Sequence, residues 1–471
     1  MHDIDRIDAF VEAKRANLEA LSDRIFDSPE IAYQERRSVA EHAAVLEREG
    51  FRIVANPAGI ATAVIGEAGA GGPVVAFLGE YDALPGLSQA SGVAELQPLP
   101  GDGMGHGCGH NLLGAGALLA AVAVKDWLLA TGTPGRVRYY GCPAEEGGAA
   151  KTYLVRAGAF ADVDVGITWH SMPLCGVNDA RSLANTRIDF TFTGRASHAA
   201  AAPHLGRSAL DAVELTNVAV NYLREHMPST ARIHYAYIDA GGVAPNVVQA
   251  RATIRYAVRA ADLAEMRSLL ARVRKCAEGA ALMTETKLEA RVLSAVSNLL
   301  GNAPLERAMQ ANWEHFGPPE WDAADRAFAE QIRATLGDED LRAPYRRAGL
   351  AFRADQPLAD EIVPLGSVGE ALLGSTDVGD VSWVAPLVQA DGPTVAVGTA
   401  FHTWQFTAHG KTALAKKGMA QTAKVMAATA LDCFADPALV KAARADLEAR
   451  TAGSPYVCPI PPEVMPPGVA A

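Results

Sequence analysis

Residues 74–85 read Val-Val-Ala-Phe-Leu-Gly-Glu-Tyr-Asp-Ala-Leu-Pro. The first five are apolar without interruption, whereas a half-solvated strand would alternate apolar and polar residues. A continuous apolar run of this kind is typical of a strand buried on both faces of a sheet. The acidic side chains that follow stand where open α/β sheets place their sites. The stretch therefore predicts a central strand that ends at a functional site.

On both sides of this stretch, strand and helix patterns alternate. Helical spacing runs from Ile7 to Ile25, and further helices are predicted at Glu35–Glu49 and Leu112–Ala130. Additional strands are predicted at Ile60–Ile65, Val137–Tyr140 and Val163–Thr168. This order indicates an α/β layer with a largely parallel sheet.

The pattern changes near Asn185, where residues 188–192 alternate as in a half-solvated strand. From there to Leu293 the predicted elements follow the order β-α-β-β-α-β, a split βαβ arrangement. The predicted elements are Ile188–Phe192, Ser208–His226, Arg232–Ile238, Ala250–Val258, Leu263–Met283 and Leu288–Val292. We therefore expect residues 185–293 to form a small domain inserted into a larger one made of residues 1–184 and 294–471.

Length and composition exclude several classes of protein. At roughly 150 residues per domain, 471 residues correspond to about three domains, or two with one large. The 42 Lys and Arg against 54 Asp and Glu leave a net charge of −12, which argues against a partner that is nucleic acid or an anionic membrane. Six cysteines are too sparse for a disulfide scaffold, and no signal peptide or span of ~20 apolar residues is found. We expect a soluble cytoplasmic enzyme.

The strongest local motif is the glycine-rich stretch 103–111, which contains Cys108 and His110. A thiol and an imidazole two residues apart, on a glycine-rich backbone that opens a helix, can hold one metal ion or bridge two. The alternative interpretation is a glycine-rich turn around a buried thiol.

Four further polar clusters follow predicted strands or apolar runs: Glu80 with Asp82, Glu145 with Glu146, His170, and His402 after the run Thr394–Val397. Each alone is compatible with an ordinary solvated turn or a packed polar residue. Because all five clusters stand at strand ends, the sequence favours one common site.

The ordered motifs resemble the M20 metallopeptidases, in the amidohydrolase branch that cleaves N-acyl and N-aroyl amino acids. The resemblance covers nearly the whole chain, with motifs at residues 79–84, 105–114, 143–148, 169–170, 197–199, 245–248, 375–383 and 401–404. It implies a two-domain metallohydrolase: a mixed, mostly parallel sheet flanked by helices, plus an inserted α+β, ferredoxin-like lid and dimerisation domain.

The resemblance also implies a ligand set for two divalent metal ions, Mn²⁺ or Zn²⁺. The positions that match the family's ligands are Cys108, His110, Glu146, His170 and His402. Cys108 would bridge the two ions. The branch usually has Asp after the Cys-x-His pair, whereas this chain has Asn111, which removes one negative charge near the site.

Other matched positions carry roles in catalysis and binding. Glu145 matches the general base, and Asp82 an acid that supports the metal site. His198 matches a histidine that reaches the site of a neighbouring subunit and stabilises the oxyanion. Asn246 and Arg259 match positions that hold the substrate's carboxylate. The partners implied are a small N-acyl amino acid and a second subunit, in a homodimer or a hetero-oligomer with a homologous subunit.

The first substrate implied is p-aminobenzoyl-glutamate, and other N-acyl amino acids, such as indole-acetyl-aspartate, or an unusual dipeptide are alternatives. Two other classes of function stay open: a supporting subunit of a hetero-oligomeric hydrolase, and a metal-independent thiol hydrolase with Cys108 as nucleophile and His110 as base. The segment 320–370 is longer than a minimal connection and is a candidate for the pocket wall.

Overall fold

The computed structural model describes residues 4–178, 180–367, 369–370 and 374–468. Its strands are β1 (Arg52–Ala55), β2 (Val64–Ala70), β3 (Val74–Glu80), β4 (Gly135–Cys142), β5 (Val165–Met172), β6 (Gly176–Val177), β7 (Ala184–Thr193), β8 (Arg232–Asp239), β9 (Arg251–Ala260), β10 (Lys287–Val296) and β11 (Leu387–Pro393). Its α-helices are α1 (Ile4–Phe26), α2 (Arg36–Arg48), α3 (His110–Thr131), α4 (Ala150–Arg156), α5 (Ala209–Leu223), α6 (Leu263–Thr284), α7 (Ala303–Phe316), α8 (Ala323–Arg333), α9 (Asp338–Ala348), α10 (Val378–Ser382), α11 (Trp404–Ala408), α12 (Ala413–Ala435) and α13 (Pro437–Thr451).

The larger sheet has seven strands in the order β1-β2-β4-β3-β5-β11-β6. Its four central strands are parallel, and β1, β2 and β6 pair antiparallel at the two sides. All seven residues of β3 are buried, as the uninterrupted apolar run predicts for a central strand. The mixed, mostly parallel α/β sheet is confirmed.

Helix α3 packs against this sheet, and α1 and α12 pack on α3. Among the described residues, α3 is the helix long and apolar enough to cross a membrane, but 83% of its most apolar window is buried inside the fold. Its apolar character is therefore that of a core helix, in contact with both a sheet and two other helices.

The smaller sheet has four antiparallel strands in the order β10-β7-β9-β8. Helices α5 and α6 pack against each other and on one face of this sheet. The chain order β7-α5-β8-β9-α6-β10 has the predicted β-α-β-β-α-β form. The sheet spans residues 184–296, close to the predicted insertion at 185–293, whose boundaries stay a prediction.

Two predicted strand positions are wrong. Residues 60–63 form a turn, and β2 begins at Val64, because the preceding turn at Pro57–Gly59 has left-handed backbone and redirects the chain. The run Thr394–Val397 is buried but not a strand, since β11 ends at Pro393. Proline has no N–H to extend the ladder, and His402 therefore stands on a loop rather than directly at a strand end.

Candidate metal centre

Three strands of the larger sheet have polar side chains at or just after their carboxyl ends, which lie at the same edge of the sheet. Strand β3 is followed by Asp82, β4 is followed by Glu145 and Glu146, and β5 carries His170 near its end. Because β4, β3 and β5 are parallel neighbours, their carboxyl ends lie side by side. The predicted convergence of strand ends is what the structure has.

The glycine loop brings the remaining ligands to this edge. Gly109 has a left-handed backbone (φ 76°) at the N-terminus of α3, and a Cβ on Gly105 would collide with the carbonyl of Leu87. The loop is therefore packed too closely for larger residues. The backbone N–H of His402 donates to the Gly107 carbonyl at 2.9 Å, which joins the two ligand-bearing loops.

The five predicted ligands form two groups of three that share Cys108. One group is Cys108, His110 and His170, the other is Cys108, Glu146 and His402, and within each the ligand atoms lie within 4.8 Å of one another. The Cys108 Sγ is 3.5 Å from Nε2 of His170, and Nε2 of His402 is 3.2 Å from Oε1 of Glu146. A shared thiolate between two groups is suited to bridging two ions.

Hydrogen bonds orient two of the histidines. Nδ1 of His110 donates to the Asp82 carboxylate at 2.8 Å, and Nδ1 of His170 contacts the Ser171 carbonyl at 3.0 Å. The other oxygen of Asp82 accepts from the backbone N–H of Glu146 at 2.9 Å. Each imidazole thus turns its Nε2 toward the ligand group, as metal-binding histidines do.

The residues present fit divalent metal ions. Oε2 of Glu80 lies 3.3 Å from Nε2 of His110, and Oε1 of Glu146 lies 3.2 Å from Nε2 of His402, but none of the buried atoms Glu80 Oε2, His110 Nε2 and Glu146 Oε1 makes a hydrogen bond among the described residues. Such atoms are costly to bury unless something binds them. A set of one thiolate, imidazoles and carboxylates suits zinc and, through its harder oxygens, manganese.

The pKa shifts of two residues bear on the chemistry. Burial, and then Glu146, raise the pKa of the Cys108 thiol well above its usual value, so the thiol is a weak nucleophile unless a cation stabilises the thiolate. The grouping of the five ligands argues against a metal-independent thiol hydrolase, in which Glu146, His170 and His402 would have no role. Burial, and then Glu80, raise the pKa of Glu145. A carboxyl group shifted upward is suited to exchange a proton near neutral pH.

A buried ion network beside the centre was not predicted. Nζ of Lys151 lies 2.6 Å from Oε1 of Glu80 and 2.5 Å from Oδ1 of Asp377, and all three residues are buried. Glu80 and Asp377 stand in quoted motifs without an assigned role. The only sign of this network in the sequence was a lysine at the second position of α4, shortly after the glycines that follow Glu146.

Three of the predicted site residues outside the two ligand groups belong to the small-sheet region. His198 and Asn246 are exposed on neighbouring loops of the small-sheet region, joined by a hydrogen bond from the Ala199 N–H to the Asn246 carbonyl at 2.9 Å. Arg259, on β9, donates to Oγ of Ser375 at 3.4 Å. Ser375 lines the cavity that opens at the ligand groups, so Arg259 is the one of these three side chains that contacts the cavity wall.

Asn111 has a structural role rather than one at the ligands. Its amide nitrogen donates to Oγ of Ser22 and to the Gly410 carbonyl, both at 2.9 Å. It therefore ties α3 to α1 and to the turn before α12, and an amide performs this role where a carboxylate could not donate.

A cavity of about 700 Å³ opens at the ligand groups. Cys108, Glu145, Glu146, His170 and His402 line one part, together with Phe401, whose ring meets that of His170 edge-on at 5.2 Å. The segment 320–370 lines another part, through residues 344, 347–348, 363–367 and 370. The cavity is large enough for a substrate with an aromatic acyl group.

Comparisons with known proteins agree with this architecture. Residues 76–466 match the profile of peptidase family M20/M25/M40. The chain is 46% identical over 470 residues to one of the subunits of p-aminobenzoyl-glutamate hydrolase from Escherichia coli (strain K12), with 98% of each chain covered. It is 30% identical to the Xaa-Arg dipeptidase of Mus musculus, over 95% of this chain and 91% of the relative.

A solved structure has the same fold. It is a dinuclear metal-binding peptidase of the M20 family from Bacillus subtilis, which is 18% identical and matches with a TM-score of 0.58 over 90% of this chain and 99% of its own. The profile match over most of the sequence, the near full-length relatives and the shared fold lead to one conclusion. The chain belongs to peptidase family M20/M25/M40.

Proposed function

We propose that this chain is a metal-dependent hydrolase of the amide bond in N-aroyl or N-acyl amino acids, with p-aminobenzoyl-glutamate as substrate and p-aminobenzoate and glutamate as products. The observation that carries the proposal is the pair of ligand groups sharing Cys108, with Glu145 beside them. The name of the 46% identical Escherichia coli relative supports the choice of substrate.

The metal ligands in this proposal are Cys108, His110, Glu146, His170 and His402, which would hold two divalent ions, Mn²⁺ or Zn²⁺. When bound, such ions supply Lewis acidity, which polarises the amide carbonyl and lowers the pKa of water. One thiolate and one carboxylate leave the ions a net positive charge to act on the carbonyl.

The chain's own residues move the proton and hold the substrate. Glu145 takes a proton from the attacking water and returns it to the leaving amine, a role that fits its raised pKa and its place on the cavity wall. Asp82 keeps His110 in one tautomer and orientation through the 2.8 Å hydrogen bond. Arg259 and Asn246 bind the carboxylate of the amino-acid part.

A second subunit completes the site in this proposal. His198 and Asn246 are exposed and lie outside the cavity lining of their own chain, so another copy would have to supply them. The small sheet leaves β8 at its edge with Tyr235, Tyr237 and Ile238 exposed, which suits a subunit contact. We infer a homodimer. Because the Escherichia coli hydrolase has two different subunits, both similar to this chain, a hetero-oligomer with a homologous chain is the competing arrangement.

The test is release of p-aminobenzoate from p-aminobenzoyl-glutamate by the purified chain, before and after chelation and after restoring Mn²⁺ or Zn²⁺. We expect release that stops with chelator and returns with metal. Aroyl-aspartate, indole-acetyl-aspartate and β-alanyl dipeptides, assayed in parallel, rank the alternative substrates. No release of any product from metal-loaded protein would contradict the proposed activity of the single chain and direct the search to a partner chain.

A further inference from the structure

Two half-buried arginines on the open face of the small sheet lack a carboxylate partner among the described residues. Arg187 is on β7 and Arg259 on β9, and both are half-buried. The helices α5 and α6 cover the other face, on which the alternating residues such as Ile188 and Val258 are buried. Arg187 and Arg259 therefore point away from the helices, on the same side of the sheet.

The two side chains are neighbours. Asn185 pairs with Arg259 and Arg187 pairs with Ala257, so the arginines stand diagonally across the two strands. Burial, and then the charge of Arg187, lower the pKa of Arg259, which reflects the closeness of two like charges. Uncompensated cations in such a position are unfavourable unless an anion binds between them.

Arg255, the third half-buried arginine on this face, shows the contrast, whereas Arg232, Arg251 and Arg291 on the same face are exposed. Arg255 donates from Nε and Nη2 to the two carboxylate oxygens of Asp189, at 2.8 and 3.0 Å. This bidentate pair neutralises Arg255 within the sheet. Arg187 makes no hydrogen bond or ion pair with any described residue, so its five donors are available to a ligand.

Both arginines contact loops that border the metal centre, although neither lines the cavity itself. The guanidinium of Arg187 packs against Gly147, where even a Cβ would collide with it, and Gly147 directly follows Glu146. Arg259 reaches Ser375, which lines the cavity. The two cations thus contact the two loops that border the reacting groups, one on each.

We propose that Arg187 and Arg259 form a subsite for two carboxylates, so that the enzyme selects amides of dicarboxylic amino acids such as glutamate and aspartate. This inference rests on the proposed function and adds a specificity-determining residue to it. Arg259 holds the α-carboxylate, and Arg187 holds the carboxylate of the amino-acid side chain. A neutral side chain would leave Arg187 unpaired, which is the physical basis of the selection.

The test compares p-aminobenzoyl-glutamate with p-aminobenzoyl-glutamine, which has nearly the same shape and one charge less. Dissociation constants are measured by calorimetry on the metal-free protein, and kcat/KM on the metal-loaded protein. Since a charge-assisted hydrogen bond contributes more than a neutral one, we expect wild type to prefer the glutamate compound by about 10- to 100-fold in both measurements.

The variant Arg187→Met should lose this preference, with the glutamine compound affected less than about 3-fold, because a neutral ligand makes no charge-assisted bond there. Arg187→Lys, which keeps the charge, should keep part of the preference even if the Met variant folds poorly. The matched control is Arg255→Met, which removes the paired arginine on the same sheet face and should leave the preference unchanged.

If Arg187→Met weakened binding and lowered kcat/KM equally for both compounds, Arg187 would only stabilise the loop after β4 that carries Glu145 and Glu146. That result would overturn the inference. An unchanged preference, or no binding of either compound by wild type, would overturn it as well. If the preference in binding depends on Arg187 but neither compound is hydrolysed, the subsite stands and the proposed activity fails. If both are hydrolysed without any dependence on Arg187, the activity stands and the subsite fails.

Discussion

Asp82 orients two neighbours of the metal centre at once. Its Oδ1 accepts from Nδ1 of His110 at 2.8 Å, and its Oδ2 accepts from the backbone N–H of Glu146 at 2.9 Å. A carboxylate can do this because its two oxygens accept independently. A single side chain therefore couples a ligand on α3 to the loop after β4, and the tautomer of His110 follows from that hydrogen bond.

Replacement of Glu145 by Gln tests the proton transfer at the scale of one residue. The amide keeps the shape of the side chain but cannot accept the proton, so we expect turnover to fall about 10²- to 10⁴-fold with metal still bound. Initial rates of p-aminobenzoate release and the metal content by elemental analysis are measured together. Glu448→Gln, exposed on α13, is the control. Near wild-type turnover by the metal-loaded Glu145→Gln variant would refute the role of Glu145.

At the scale of elements, the short helix α4 joins the end of β3 to the start of α10. It follows Ala149, whose left-handed backbone (φ 57°) turns the chain after the glycines. The helix thereby places Lys151 between Glu80 and Asp377, and the backbone N–H of Lys151 also donates to Oδ2 of Asp377 at 2.9 Å. Lys151 is the cation that both carboxylates share, and Glu80 also lies 3.3 Å from Nε2 of His110.

Lys151→Met should destabilise the fold strongly. Removal of one partner leaves buried carboxylates without compensation, which costs about 3–5 kcal/mol in the free energy of unfolding. Urea unfolding of the metal-free protein measures this cost. The control is Lys411→Met, since Lys411 pairs with Asp27 at the surface and such pairs contribute about 0–1 kcal/mol. A loss below about 1 kcal/mol for Lys151→Met would contradict the assigned importance of the network.

His409, a buried histidine in the turn after α11, should make the stability of the protein depend on pH. Nδ1 of His409 donates to the Gln405 carbonyl at 2.7 Å, and its Nε2 accepts from the Ala396 N–H at 3.0 Å. Burial lowers the pKa of His409 to about 4. Because the unfolded chain takes up a proton near pH ~6.5, the stability contributed by neutral His409 is complete above that pH and is lost as the pH falls toward 4.

We therefore expect the stability gap between wild type and His409→Gln to be largest at pH 7 and above. The gap should narrow by about 1–3 kcal/mol between pH 7 and pH 4.5, because only the wild type has this histidine to protonate. Urea unfolding at a series of pH values measures it, and a constant gap between pH 7 and 8 is the internal control. A gap that stays constant down to pH 4.5 would show that the His409 pKa is not lowered.

At the scale of the whole molecule, the C-terminal tail connects the two sheets in addition to the chain segments that lead from one sheet to the other. The tail 455–468 lies across both: Arg156 on α4 donates to the Pro461 carbonyl at 3.0 Å, and Arg267 on α6 donates to the Val457 carbonyl. The tail thus contacts a helix near the metal centre and a helix of the small sheet.

A mixing experiment tests whether His198 acts on the site of another subunit. His198→Ala and Glu145→Ala should each be nearly inactive as purified proteins. Co-refolded in equal amounts, they should regain roughly a quarter of wild-type activity, because half of random dimers are mixed and each of these holds one competent site. Mixing each variant with itself is the control. Mixed dimers that form but stay inactive would show that His198 does not act across subunits.

The strand-end part of the centre could be predicted from the sequence. Asp82, Glu145, Glu146 and His170 each follow or end an apolar run, and parallel strands bring such positions together whatever the details of packing. Cys108 was identified by the glycine pattern around it. The resemblance to the family then linked these clusters to His402, although its loop position was missed where Pro393 ends β11.

Local sequence thus contains the alternation of strands and helices, the polar ends of the central strands and the type of ligand, because each of these depends on neighbouring residues. Tertiary structure alone pairs Lys151 with Asp377, 226 positions apart, and sets Arg187 against Gly147. It also brings residues of 320–370 to the cavity wall. These contacts join segments that are distant in the sequence. Neighbouring residues do not show whether a charged side chain is buried in an ion pair or is available to bind a ligand.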